Sequence, residues 1–196
     1  MGAAYQNVTN QFRPYYSNPA PTPNKRIFLN NTAESWSGKE RDVLNNLAFY
    51  PNPAQVPLLV GMYNGQVVVD QAAEARAAAQ GNYFDSTTGA YLLEVGDVVE
   101  VILQNQVGLN NVVTHPFHMH GGDFWDMGGG DGEFSEEAYQ ELLATVDPVK
   151  RDTTLLSGLP ASRGTTGNPQ GFRVWRWEAT AKGAWMLHWY IIPFVR

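Results

Sequence analysis

The chain has 196 residues, a formal net charge of −6 and no cysteine; 43% of it is hydrophobic, 12% aromatic and 16% charged. That length fits one domain, with room for a large insertion, and the apolar content is enough for a core. The missing cysteines exclude disulfides, zinc fingers, a thiol nucleophile and any thiolate ligand to copper. The acidic balance without a basic cluster argues against nucleic acid as a partner, and no apolar run reaches the roughly 18 residues a membrane-crossing helix needs.

The 19 glycines, 12 prolines and many aromatics describe an all-β domain with frequent turns. Residues 1–25, polar and rich in Asn, Pro and Tyr, form an irregular lead-in; their start has neither a basic nor an apolar segment of a signal peptide. Arg26 to Asn30 is a short strand, Ser35 to Lys39 a turn, and Val43 to Phe49 a second strand stopped by Pro51 and Pro53. Val56 to Val60 begins an apolar patch. Ala72 to Ala79 holds strong helix formers, with Gly81 placed to end a short surface helix. Val95-Gly96-Asp97 is a turn before the β-branched run Val98 to Asn105. Phe124 to Met127 is followed by glycines 128, 129, 130 and 132, read as a hairpin turn, because the Lys-Ser/Thr ending of a phosphate loop is lacking. Ser135 caps a helical turn whose Glu136 and Glu137 make a solvated first turn and not a catalytic pair. Asp147 to Leu156 is a strand. Phe172 to Glu178 alternates apolar and charged residues, the period of a half-buried strand, and Trp185 to Tyr190 is the last strand.

The four histidines carry the chemistry. His115, His118 and His120 fall within six residues, in His-Pro-Phe-His-Met-His-Gly-Gly, and His188 lies near the other end of the domain. Neutral imidazole is the commonest protein ligand for copper, zinc and nickel. On an extended strand His118 and His120 share one side, with Cα atoms roughly 6–7 Å apart, while His115 faces the other way. One short segment can thus serve two metal positions. The competing reading is a set of structural histidines beside a turn. Ser157 lies outside any nucleophile-elbow pattern, and no Ser/His/Asp arrangement stands out. Asn7-Val8-Thr9 and Asn30-Asn31-Thr32 are sequons, making Asn7 and Asn30 candidate glycosylation sites.

The run His115 to Gly121 resembles a copper signature of multicopper oxidases. Its ordered companions agree: Gly96 to Glu100, Gln104-Asn105, Pro148 to Thr154, Phe172 to Trp177 and Gly183 to His188. Gly122-Asp123-Phe124-Trp125-Asp126-Met127-Gly128 is most similar to the fungal ascorbate oxidase-like and laccase-like branch. The resemblance implies a cupredoxin-like Greek-key β-barrel over residues 26–196, the third domain of such an oxidase, with short helical insertions in its connections. It implies copper as cofactor: His115 at the type 1 position, His118 at type 2, and His120 and His188 at type 3. It further implies oxidation of ascorbate or phenols coupled to O₂ reduction, partner N-terminal cupredoxin domains, a small-molecule reductant, and a secreted location.

The sequence departs from the family at Trp189, where the type 1 cysteine belongs, and at Tyr190, where a further histidine belongs. Type 1 copper needs two histidines and a thiolate, and indole is a donor only. The chain is therefore expected to be a fragment without turnover, or a module binding one metal ion or none. Codons for Cys begin TG, and Trp-Tyr reads TG followed by GTA, so read-through of a splice donor is the expected origin of Tyr190 to Arg196; the spliced transcript tests it. The last strand is expected in the barrel's core layer, and an edge normally covered by later residues and by the other domains would be exposed, which leads to an expectation of poor solubility for the isolated chain.

Overall fold

The computed structural model describes residues 8–15, 19–36, 38–47, 56–106, 114–157 and 168–189. A 3-10 turn over Val8–Gln11 precedes the strands β1 (Lys25–Trp36) and β2 (Lys39–Leu44). Two helices, α1 (Leu58–Tyr63) and α2 (Gln71–Ala79), and a small ribbon of β3 (Phe84–Asp85) and β4 (Ala90–Tyr91) lead to β5 (Val98–Gln106) and β6 (His115–Met119). Then come β7 (Phe124–Asp131), α3 (Glu136–Leu143), β8 (Val149–Arg151), β9 (Thr153–Leu156), β10 (Pro169–Glu178) and β11 (Leu187–Trp189). Both longer helices start as their sequences dictate. Asp70 accepts a hydrogen bond from the Ala73 N–H, and Ser135 accepts one from the Ala138 N–H.

The large sheet runs β2-β1-β5-β10-β7-β8, with β1 and β5 parallel and the other pairs antiparallel; the small sheet runs β11-β6-β9. The large sheet buries both of its faces. Ile27, Leu29, Val99, Leu103, Trp175 and Trp177 point toward the small sheet and meet Phe117 and Leu156. Ile102, Trp125, Met127, Phe172 and Val174 point the other way and are covered by Tyr139 of α3. This packing, strands alternating between two cores, seats β6 against the aromatic interior on one side and leaves its other side open.

Several elements differ from the sequence reading. The glycine run is not a hairpin turn. Gly128 to Gly130 continue β7 and pair with β10, across a register shift at Val174/Trp175 where Gly128 adopts φ +97. Glycine is required there because the neighbouring strand comes too close for side chains. A Cβ on Gly129 would sit 2.3 Å from the Phe172 carbonyl oxygen, and one on Gly130 would sit 2.8 Å from the Phe172 ring. β10 is buried on both faces, not half-buried: Arg173 is only 1% exposed and bonds Asp126 through Nε at 2.7 Å and Nη2 at 2.5 Å. Arg176 reaches the buried Glu100, which also takes Arg26 and the Tyr139 hydroxyl; these partners hold the Glu100 carboxyl below its ordinary pKa against the opposing effect of burial.

β1 runs through Ser35 to Trp36, beyond the short strand expected, and β2 ends at Leu44, where Asn45 and Asn46 take left-handed φ values of 50 and 63. The strand expected through Phe49 thus gives way to a tight turn closed by a Leu44–Leu47 bridge, and Ala48 and Phe49 lie outside the described residues. The apolar patch at Val56 to Val60 enters α1, and the strand expected over 147–156 is broken at Asp152 into β8 and β9. Among the described residues β11 is an outer strand of the small sheet, half-buried, with Leu187 and Trp189 packed against the core as a core-layer strand requires.

Candidate metal centre

β6 presents alternate residues to opposite sides. His115 and Phe117 face the core, and His118 and His120 face out. β11 pairs antiparallel with β6, and its His188 stands directly opposite His118. A further backbone bond, from His120 N–H to the Met186 carbonyl at 2.9 Å, extends the pairing beyond the strand. The three outward rings lie with centroids 4.8 Å (His118–His120), 5.4 Å (His118–His188) and 5.0 Å (His120–His188) apart. One ring nitrogen from each falls within 4.8 Å of the other two.

The surroundings set which nitrogens are offered. His118 Nδ1 is 2.8 Å from the Asp152 carbonyl oxygen, which can only accept; Nδ1 therefore carries the proton, and Nε2 keeps its lone pair. Thr153 Oγ1 at 3.4 Å and the Asp152 carboxylate at 3.7 Å surround the same nitrogen. His120 Nε2 and His188 Nε2 face each other at 3.0 Å, a separation that calls for a shared proton or a cation on their lone pairs. Burial, then the neighbouring His120 and His188's other neighbour His118, push the His188 pKa below its ordinary value, favouring the neutral ligand form. Trp185, 41% exposed, and Met186, 57% exposed, precede His188 on the approach to β11.

His115 is not brought to this group. It is 3% exposed, burial lowers its pKa to about 4, and its Nδ1 has no hydrogen-bond partner among the described residues. Trp189 pairs with Phe117 in the β ladder and stacks on its ring at 5.3 Å and 20°. A type 1 copper does not fit here: His115 has no thiolate to share the metal, and an indole occupies the aligned position. The three outward imidazoles do fit a copper ion, being neutral-prone nitrogen donors converging on one point. Asn7 lies outside the described residues, and Asn30 is an exposed residue in β1 whose N–H donates to Asn45 Oδ1. Sequence reasoning missed Asp152, whose contribution comes through a backbone carbonyl that any residue would carry.

A two-sheet β domain whose β6 and β11 bring three histidines together on one face, able to hold a metal ion, defines a cupredoxin-type class. Residues 51–192 match the family described as "Multicopper oxidase", and the chain belongs to that family. It is 35% identical over 144 residues to a laccase-like multicopper oxidase of Thermothelomyces thermophilus, covering 69% of this chain and 22% of that protein. It is 31% identical over 202 residues to an L-ascorbate oxidase of Cucurbita pepo var. melopepo, covering 96% of this chain and 34% of that protein. Among solved structures, a point variant of the Botrytis aclada laccase superposes with TM-score 0.53 at 15% identity, over 87% of this chain and 26% of that one, which supports the cupredoxin fold. The chain thus spans between about a fifth and a third of these relatives.

Proposed function

We propose that this chain is a copper-binding domain of a multicopper oxidase, holding copper through His118, His120 and His188. The observation that carries the reading is the convergence of the three imidazoles, one ring nitrogen of each within 4.8 Å of the others, beside a strand sequence typical of the family. In an intact oxidase the domain would serve oxidation of ascorbate or phenolic reductants coupled to O₂ reduction; one of its relatives is named an L-ascorbate oxidase and another a laccase-like multicopper oxidase. Partner cupredoxin domains would complete the site, and a secreted location accompanies that reading.

Copper supplies one-electron redox chemistry toward O₂ when bound. The chain's own residues orient and tune the donors. The Asp152 carbonyl holds the His118 tautomer, and the β6–β11 ladder sets His188 opposite His118. Without a thiolate at the His115 side, the domain by itself has no blue-copper route for electron entry and no turnover.

Calorimetric titration of the full chain with Cu(II), followed by EPR, tests this. One ion per chain with a nitrogen-rich type 2 spectrum, lost in the His118→Ala and His188→Ala variants, is the expected result. Binding that survives both substitutions overturns the ligand assignment, and no binding at all makes the domain a scaffold with unliganded histidines.

A further inference from the structure

We infer that Trp185 is a positioning residue for the metal centre: its indole, laid across the Gly121 backbone, holds the end of β6 and the entry of β11 at the separation that brings His120 and His188 together. This rests on the reading of the three histidines as the metal site.

Trp185 is partly exposed, yet its ring is tightly seated. A Cβ on Gly121 would lie 2.4 to 2.7 Å from the indole Cδ2, Cε3 and Cγ, so the ring rests directly on the glycine. A Cβ on Gly183 would lie 3.0 Å from Cζ2, so a second glycine backs the ring. Indole Nε1 donates to the Ala181 carbonyl at 3.2 Å, which fixes the ring's rotation. Gly121 has φ +86, a conformation that favours glycine, and a side chain there would also collide with the indole.

The position of this contact gives it a role. Gly121 follows His120 directly, and Trp185 stands three residues before His188. The Met186 carbonyl, next to Trp185, accepts the His120 N–H at 2.9 Å. His120 and His188 face each other through Nε2 at 3.0 Å, and Leu187 opposite Met119 is the last pair of the described β6–β11 ladder on the His120 side. Past the last pair of a ladder, little backbone hydrogen bonding fixes strand separation. The indole on Gly121 supplies a restraint on the side where His120 leaves the strand.

Two readouts on the full chain test this. In the metal-free protein, NMR should show a cross-peak between the His120 and His188 ring protons. W185A should lose that cross-peak while keeping the dispersed amide spectrum of the β-sheets, and its Cu(II) affinity should fall roughly 10- to 100-fold, the range for residues that orient metal ligands. W185F should retain both. Retention of cross-peak and affinity in W185A overturns the inference. Should W185A fail to fold, G121A decides the matter, because its added methyl displaces the ring: an unchanged cross-peak there overturns the inference, a weakened one supports it. A cross-peak that depends on Trp185 in a protein that binds no copper keeps the positioning role and discards the metal reading.

Discussion

The two faces of β6 place histidines in opposite physical circumstances. On the outer face His118 is half-buried and His120 exposed, both share their space with His188, and His118 has one nitrogen oriented by a backbone carbonyl. On the inner face His115 is sealed beside Phe117, with no partner for Nδ1 among the described residues. The difference shows that one strand of alternating histidines does not make one site. Accessibility, with a tautomer oriented at His118, suits the outer imidazoles to ligation, whereas burial favours the neutral form of the inner one.

The comparison predicts that metal binding and stability separate by face. The largest effect is on binding: replacing both His120 and His188 by Ala should abolish Cu(II) uptake in equilibrium dialysis, with stability changed by no more than about 0.5 kcal/mol because the outer rings are not core groups. If the double variant still takes up copper, the outer face is not the site. Next is Phe117→Ala, which empties the fully buried position between Trp175 and Trp189 and should cost about 3–5 kcal/mol in urea unfolding.

A smaller effect belongs to His115. Its neutral form is favoured in the fold, where the pKa drops from 6.5 to about 4, so the unfolded chain takes up the proton first. Its contribution is full above pH 6.5 and is lost as pH falls toward 4, roughly 3 kcal/mol across that window. His115→Leu should flatten this part of the stability–pH curve without altering Cu(II) affinity; a curve unchanged by the substitution would remove the argument. The smallest effect is expected of Thr153→Ala, whose hydroxyl reaches His118 Nδ1 only at 3.4 Å while the Asp152 carbonyl bonds it at 2.8 Å. Copper affinity should fall by less than about threefold, on the scale of a single weak contact.

Much of the outer face was legible in the sequence, because alternation on a strand follows from backbone geometry: His118 and His120 had to share a side and His115 had to oppose them. The cap at Ser135 was legible for the same local reason. What lay across strands was not. Arg173 and Arg176 read as solvent-facing charges, since nothing in their own segment reveals that Asp126 and Glu100 wait on neighbouring strands. The glycines at 128–130 read as a turn, because close approach of Phe172 is a property of the pairing and not of the run itself. Trp185 read only as part of a strand, and the Asp152 carbonyl left no side-chain signal at all.

The segment before the first strand has a consequence for how the domain can be trimmed. Asn10 donates to the Gly129 carbonyl at 2.7 Å, accepts from the Gly129 N–H at 3.1 Å, and takes a bond from Arg173 at 3.2 Å. It thereby covers the one stretch of β7 where glycines leave the backbone without side-chain shelter. A shortened version starting at Lys25 would strip that cover from a pair of hydrogen-bonding groups and from the guanidinium beside them, opening a route for water along the glycine stretch toward Asp126.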